Sequence, residues 1–441
     1  MRPIGIDLFA GAGGLSLGFE QAGFDVVGAV EIDPVHAAVH AFNFPNCAVM
    51  PRSVVGLSGS ELRLATGIGN RRVDVVFGGA PCQGFSLIGH RILDDPRNNL
   101  VREFVRIVGE LQASFFVFEN VKGLTVGSHR ALLNELIEAF DGIGYDVRLP
   151  WKVLDAANFG VPQHRERLFL YGARRGRRLP NYPSPVFHPA DSRGPSMGLP
   201  IGPTCRDALA DLPNADQFPA LLDSDEMAQS TFGAPSSYAR ELRCIGNDSW
   251  HFGYARRWSP TTMTSSMRTN HSAISQRRFA ATRAGEVEPI SRFFKLSPTG
   301  LSNTLRAGTD SARGAFTSPR PIHYEFPRCI TVREMARLHG YPDWFRFHET
   351  KWHGARQIGN SVPPPLARAV ALQVMEALGA AGSRPARTVE LGDPSLLRMD
   401  NSHAAAHFGI ENPIGRRDRK SGAKKRKQHE IEMEIQAGFQ G

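Results

Sequence analysis

Four short stretches of the chain carry side chains whose type and spacing suit chemistry. The first is Gly78-Gly79-Ala80-Pro81-Cys82-Gln83-Gly84-Phe85-Ser86, which follows an apolar run at 73–77. A cysteine flanked by proline and glycines at the carboxyl end of a strand sits where open α/β sheets bind ligands. Its thiolate would be a nucleophile, although an isolated cysteine is as readily an inert small hydrophobe. In the second stretch, Glu119-Asn120-Val121 emerges from the apolar run Phe115-Phe116-Val117-Phe118. A glutamate there is partly desolvated, which raises its pKa and lets it work as an acid near neutrality; capping or salt-bridging is the plainer role. In the third, Gln163-His164-Arg165-Glu166-Arg167 precedes Leu168-Phe169-Leu170. Strand alternation sends Arg165 and Arg167 to one face, able to steer an anion or donate to a carbonyl, or simply to line a solvated edge.

The fourth stretch is a glycine turn, Asp7-Leu8-Phe9-Ala10-Gly11-Ala12-Gly13-Gly14, between an apolar strand and an amphipathic helix. Glu31 ends the next strand, 24 residues after Asp7. Glycines let the backbone approach a ligand closely, and a carboxylate at the end of the second strand can bind ribose hydroxyls. An adenosine-type cofactor suits that arrangement; a turn serving only helix packing is the alternative. The nicotinamide-dinucleotide pattern G-x-G-x-x-G requires glycine at position 16, where this chain has Ser16. An acidic Asp7 also suits a cationic ligand better than a pyrophosphate, which points to S-adenosylmethionine.

The elements that must position these groups follow from hydrophobic period. Short β-rich runs alternate with amphipathic stretches over the first 180 residues, the pattern of βαβ units in a doubly wound, Rossmann-like parallel α/β sheet. Residues 181–327 change texture to Pro, Ser, Thr, Arg and scattered aromatics, which predicts a smaller, irregular second domain. Helical periodicity returns at 331–341 and 364–378, and from 380 onward Gly, Ser, Pro and charge dominate. The expected division is therefore 1–180 plus 328–379, then 181–327, then a flexible basic tail at 380–441.

In order and spacing, the blocks DLFAGAGG, GGAPCQGFS, ENVKGL, QHRER, TVREMARLHGYP and QIGNSVPPPLARAV resemble those of the DNA (cytosine-5)-methyltransferases, over residues 4 to about 378 outside the variable middle. The resemblance implies an S-adenosylmethionine-dependent enzyme acting on a cytosine flipped out of duplex DNA. It makes Cys82 the nucleophile that adds to C6, Glu119 the group at N3 and the exocyclic amine, Arg165 the residue holding O2, and Arg167 a supporting residue. For the cofactor it implies Phe9 against the adenine and sulfonium region, Gly11, Gly13, Gly14 and Leu15 at the methionine end and Glu31 on the ribose, with Asp7 and Ile32 counted among the cofactor residues. Ser53, Val54, Pro81, Leu100, Asn360, Ser361 and Val362 complete the set. One position departs: where the family usually has an aspartate touching the adenine amine, this chain offers Ser53, so weaker cofactor affinity is expected. A tRNA methyltransferase of the same family is the nearest rival, but its compact middle region and Cys-Phe-Thr signature are not found here. A non-catalytic DNA-binding relative would have lost Cys82, Glu119 or Arg165, and all three are present.

DNA contacts are expected from Gln83, Ser86 and Arg97 near the cysteine loop, and from Arg256, Arg257, Arg268, Thr304 and Leu305 in the variable segment. The net charge of +9 suits a polyanionic partner. Four of the eight lysines (Lys420, Lys424, Lys425, Lys427) lie near the C-terminus, as a solvated tail or a DNA-clinging arm. Five cysteines without a C-x-x-C pair argue for free thiols, and neither they nor the histidines show metal-ligand spacing, so no metal is expected. No apolar run is long enough to span a membrane, and the N-terminus lacks the regions of a signal peptide. The remaining expectations are a cytoplasmic, nucleoid-associated monomer of bacterial restriction-modification or orphan type. A cognate restriction endonuclease would act separately.

Overall fold

The computed structural model describes residues 2–81, 98–126, 129–309 and 318–412. Strands and helices alternate through the first part: β1 (Ile4–Leu8), α1 (Gly14–Ala22), β2 (Asp25–Val30), α2 (Pro34–Asn43), β3 (Ala48–Met50), α3 (Gly59–Thr66) and β4 (Val75–Gly78). There follow α4 (Asn99–Leu111), β5 (Phe115–Val121), α5 (His129–Gly142), β6 (Tyr145–Val147), β7 (Lys152–Asp155) and β8 (Glu166–Arg174). The variable stretch holds only short elements: α6 (Cys205–Leu209), α7 (Ser237–Leu242), β9 (Ala255–Arg257) and α8 (Ala273–Ala281). The chain ends its described part with α9 (Val332–Leu338), α10 (Lys351–Asn360), α11 (Pro364–Ala377), β10 (Thr388–Glu390) and α12 (Asn401–His407).

The main sheet runs β3-β2-β1-β4-β5-β8-β6, with β7 also on β8. Strands β1 to β5 are parallel, as the βαβ pattern predicts. The other edge departs from that pattern, because β8 is antiparallel to β5 and both β6 and β7 are antiparallel to β8. A parallel neighbour needs a long crossover, usually a helix, and β6, β7 and β8 are joined without an α-helix between them.

Each face of the sheet has its own core. On one face α4 places Val101, Phe104, Val105, Val108 and Leu111 at helical spacing against the sheet, and Phe116 stacks on Phe140 of α5 at 3.6 Å. On the other, α1 packs against α11, and Phe19 stacks on Phe77 at 3.7 Å. The chain thus returns late to cover the strand it began with, which brings residues near 360 beside those near 14. No helix among the described residues is long and apolar enough to cross a membrane.

The tail predicted from 380 onward is not free over its first part. Strand β10 pairs in parallel with β9, Leu396 and Leu397 pack on Ala38, Val39 and Phe42 of α2, and α12 buries Ala404 and Ala405. Asp393 and Asp400 supply the N-caps, accepting hydrogen bonds from Ser395 N and His403 N. The lysines at 420–427 lie outside the described residues.

Candidate active site

A cleft of about 600 Å³ opens beside the carboxyl ends of β1, β2, β4 and β5. Phe9, Gly11, Gly14 and Leu15 form its glycine-turn wall, and Glu31 and Ile32 follow β2 into it. Ser53, Val54, Pro81 and Leu100 close one side, and Asn360, Ser361 and Val362 the other. Most of the residues expected at the cofactor site therefore lie on one cleft. Glu31 is held by the turn itself: Gly11 N donates to Oε2 at 2.8 Å and Asp33 N to Oε1 at 2.9 Å. Burial raises its pKa, with His36 the largest opposing influence. Its remaining lone pairs can accept from vicinal hydroxyls.

Two predicted cofactor residues do not line the cleft. Gly13 caps α1 at φ 104, and a Cβ there would lie 2.4 Å from the Phe44 ring, so its role is to let the turn pack on α2. Asp7 is fully buried behind the turn, where Ser16 Oγ donates to Oδ2 at 2.7 Å and lies 3.0 Å from His40 Nε2. Desolvation raises the Asp7 pKa to about 8, the Ser16 hydrogen bond opposing it. A carboxyl in that state does not supply the negative charge expected of it toward a cation.

Residues expected to be catalytic lie on the same cleft. Glu119 lines it next to Gly79, whose missing Cβ is what admits the carboxylate: a Cβ there would sit 2.4 Å from Glu119 Oε2. Arg167 reaches across from β8, its Nε 3.0 Å from Glu119 Oε1. Burial raises the Glu119 pKa, while Arg167 and then Arg165 pull it back. Asn120, the next residue, donates Nδ2 to Ala80 O at 2.8 Å and so anchors the backbone that leads into Cys82. Cys82 itself, with Gln83, Ser86 and Arg97, lies outside the described residues.

The two arginines are held differently. Arg165 is buried, and its guanidinium donates to Leu305 O at 3.0 Å and Gly359 O at 2.7 Å. It therefore joins the variable segment to the end of α10, whereas Arg167 faces Glu119. Gln163 supports the same junction, accepting from Leu305 N at 3.0 Å.

The predicted DNA-reading residues fare less well. Arg256 is buried, forks onto both oxygens of Glu20 at 2.9 and 2.8 Å and lies over the Trp344 ring, so it is a structural anchor. Leu305 is buried against the Gln163 amide, and the Thr304 hydroxyl, though exposed, donates to His164 O at 2.7 Å. The Arg268 side chain is largely covered, with Nη1 3.8 Å from Asp216. Arg257 is exposed and pairs with Glu390 of β10. In an irregular segment, residue type alone does not tell an inward arginine from an outward one.

Sequence reasoning missed His36, Arg356 and Gln357, all of which line the cleft. The signal was present for two of them: positions 356 and 357 lie four and three residues before Asn360 on one helix, hence on its face.

The profile of C-5 cytosine-specific DNA methylases matches residues 4–376. The Type II methyltransferase M.XorII of Xanthomonas oryzae pv. oryzae (strain KACC10331 / KXO85) is 57% identical over 419 residues, 95% of each chain. Type II methyltransferase M1.HphI of Haemophilus parahaemolyticus is 35% identical over 376 residues, 84% of this chain and 86% of that one. Among solved structures, a putative DNA modification methyltransferase encoded within an E. coli prophage superposes with a TM-score of 0.68 at 34% identity, covering 86% of this chain and 99% of the other.

Proposed function

The chain belongs to the C-5 cytosine-specific DNA methylase family, and from that premise we propose that it transfers a methyl group from S-adenosylmethionine to C5 of a cytosine turned out of duplex DNA, through a transient bond between Cys82 and C6. The observation that carries this reading is the Glu119–Arg167 pair, 3.0 Å apart, beside Gly79 on the cleft that Pro81, the neighbour of Cys82, also lines. The donor set of the cleft fits the cofactor: an acceptor-only Glu31 for ribose hydroxyls and an apolar wall at Phe9, Val54 and Leu100 for a base. When bound, S-adenosylmethionine supplies an electrophilic methyl group.

The residues supply the rest. Cytosine C5 is too weak a nucleophile to take a methyl group unaided, so the Cys82 thiolate adds to C6 and makes the ring an enamine. Glu119, whose pKa burial raises, is placed to hold a proton toward N3 as electron density rises there. O2 falls to Arg165, whose Nη groups hold Leu305 O and Gly359 O while its buried Nε has no partner among the described residues; Arg167, on Glu119, supports it. After transfer, loss of the C5 proton and expulsion of Cys82 restore the aromatic ring. The protein acts in this reading as a cytoplasmic monomer on double-stranded DNA, as the modification enzyme of a restriction-modification pair or alone.

Bisulfite sequencing of DNA from cells expressing the chain identifies the target. A duplex carrying 5-fluorocytosine at that position, incubated with the full-length protein and S-adenosylmethionine, is expected to give a stable one-to-one cross-link at Cys82, readable by mass. Methylation by a Cys82→Ser protein would refute the covalent route.

A further inference from the structure

We propose that His164 is a positioning residue for DNA: charged on its ring, it bridges Asp155 and Asp191 and so holds the variable segment on the strand that carries Arg165 and Arg167. This rests on the reading that the enzyme acts on DNA, not on the covalent route through Cys82. His164 lies two residues before β8, Asp155 ends β7, and Asp191 lies in the loop 189–199, whose base is closed by His188 N on Pro200 O at 2.9 Å.

The contacts of the ring fix its charge. His164 Nδ1 lies 2.7 Å from Asp155 Oδ2, and Nε2 lies 3.0 and 3.2 Å from the two Asp191 oxygens. A carboxylate only accepts, so both ring nitrogens must donate, and an imidazole that donates twice is an imidazolium. Asp155 Oδ1 also accepts from Arg165 N at 2.8 Å and Ala157 N at 3.3 Å, contacts that favour its ionised form. One aspartate thus holds the ring of His164 and the backbone of Arg165 together. The His164 backbone meets the far end of the same variable segment, its N–H donating to Ser302 O at 3.2 Å and its carbonyl accepting from the Thr304 hydroxyl at 2.7 Å. The Asp155 hydrogen bond pushes the pKa of the ring up to about 9; desolvation opposes it, and the charges of Asp155 and Asp191 add to it. The charges on its own strand are turned elsewhere: Arg165 to Leu305 O and Gly359 O, Glu166 to Lys122, and Arg167 to Glu119. Cys205, within electrostatic reach of Asp191, stays a thiol, burial pushing it up to about 12.

The full-length protein is assayed for methylation of a duplex carrying its target, with KM for DNA followed from pH 7 to pH 10 and S-adenosylhomocysteine binding measured beside it. His164→Gln keeps a donor but no charge, and is expected to raise KM for DNA roughly threefold to tenfold at pH 7 without changing S-adenosylhomocysteine affinity. Because the wild-type ring loses its proton as pH rises through about 9, the ratio of variant to wild-type KM should fall to one above that pH. Arg165, which desolvation brings down to about 9, is common to both proteins and cancels in the ratio. His164→Arg restores a charged fork, so it should match the wild type at pH 7 and surpass it at pH 10. Asp191→Asn, on the other element, should give a smaller rise in KM of the same kind. In spectra of isotope-labelled histidine rings, the imidazole absent from His164→Gln should still carry both protons at pH 8, where an ordinary histidine is neutral. A KM ratio of one throughout, a ratio that does not change with pH, or an equal loss of S-adenosylhomocysteine affinity would overturn this role and leave the proposed function intact. A wild type that methylates no cytosine would overturn both.

Discussion

Two arginine–carboxylate pairs of similar length do opposite things in this molecule. Arg167 and Glu119 meet at 3.0 Å at the cleft, with their side chains 14% and 12% exposed. Arg256 and Glu20 meet at 2.8 Å between the variable segment and α1, at 1% and 8%. The inner pair is closed: Arg256 forks onto both Glu20 oxygens and spends its other donors on Tyr254 O and Asn43 O. The cleft pair is open, with one short contact from Nε and a carboxylate whose Oε2 faces the space that Gly79 leaves. An open pair can exchange its partner for a substrate; a closed one can only hold the fold. What separates them is position on the sheet and not residue type.

The largest effect should come from opening the cleft pair. Glu119→Gln is expected to lower kcat roughly a hundredfold to ten-thousandfold, the usual range for a lost proton-holding group, with the folded state intact by circular dichroism. Because burial raises the Glu119 pKa and Arg167 is the largest influence holding it down, kcat/KM should fall as pH rises through that raised pKa. Arg167→Ala removes the influence that favours the charged form, so the falling limb of its residual activity should move to higher pH. A rising limb instead, with activity growing as pH climbs through that pKa, would show that the ionised carboxylate is the working form.

Closing off the inner pair should act on stability instead. Arg256→Ala leaves Glu20 buried without its cation, which costs about 3–5 kcal/mol, measurable as a lower urea midpoint. Arg257→Ala, one residue on, breaks an exposed pair with Glu390 at 74% and 69% side-chain exposure and should cost under about 1 kcal/mol. Should Arg256→Ala instead fold normally and change which DNA sequence is methylated, the outward reading of Arg256 would be right after all.

The same contrast explains what was legible in the sequence. Glu119, Arg167 and the glycine turn sit at the ends of strands whose apolar runs announce themselves, so the strand fixes where the next side chain points. Arg256 and Arg268 lie in a segment with no sustained period, where direction is set by tertiary contacts that no local pattern encodes. The antiparallel edge was hidden because β6 and β7 have three and four residues. The docked part of the tail was hidden by the basic run at 416–427, which colours the composition of the whole C-terminus. Asp393-Pro394 and Asp400 before short apolar clusters were helix-start signals all the same.

Asp7 offers a third case, a buried carboxyl with no arginine at all. Its folded pKa of about 8 lies above the ordinary 3.8, so between those values the native state binds the proton that the unfolded chain has released. The stability associated with that proton is fully present below about 3.8 and is lost as pH rises through 8, with a slope of at most about 1.4 kcal/mol per pH unit. Asp7→Asn keeps an acceptor for Ser16 Oγ without the ionisation. It should flatten the pH dependence of the urea midpoint and leave the variant more stable than wild type at pH 8. A variant less stable at every pH would mean that Asp7 is ionised in the fold, and the contrast with Glu20 would lose its basis.

Ser53 tests how far short side chains of the cleft wall matter. Its hydroxyl lines the cleft and also accepts from Val55 N at 3.1 Å, so part of its accepting capacity is spent in its own turn. An aspartate here has two oxygens and can serve Val55 N and an adenine amine together. Ser53→Asp is therefore expected to tighten S-adenosylhomocysteine by roughly twofold to tenfold, the worth of one added hydrogen bond. The gain should be equal for methylthioadenosine, which shares the base, and should vanish for the inosine analogue of either ligand, which lacks the amine. A gain confined to S-adenosylhomocysteine would place Ser53 at the amino-acid end of the cleft and reverse the orientation in which the cofactor has been set.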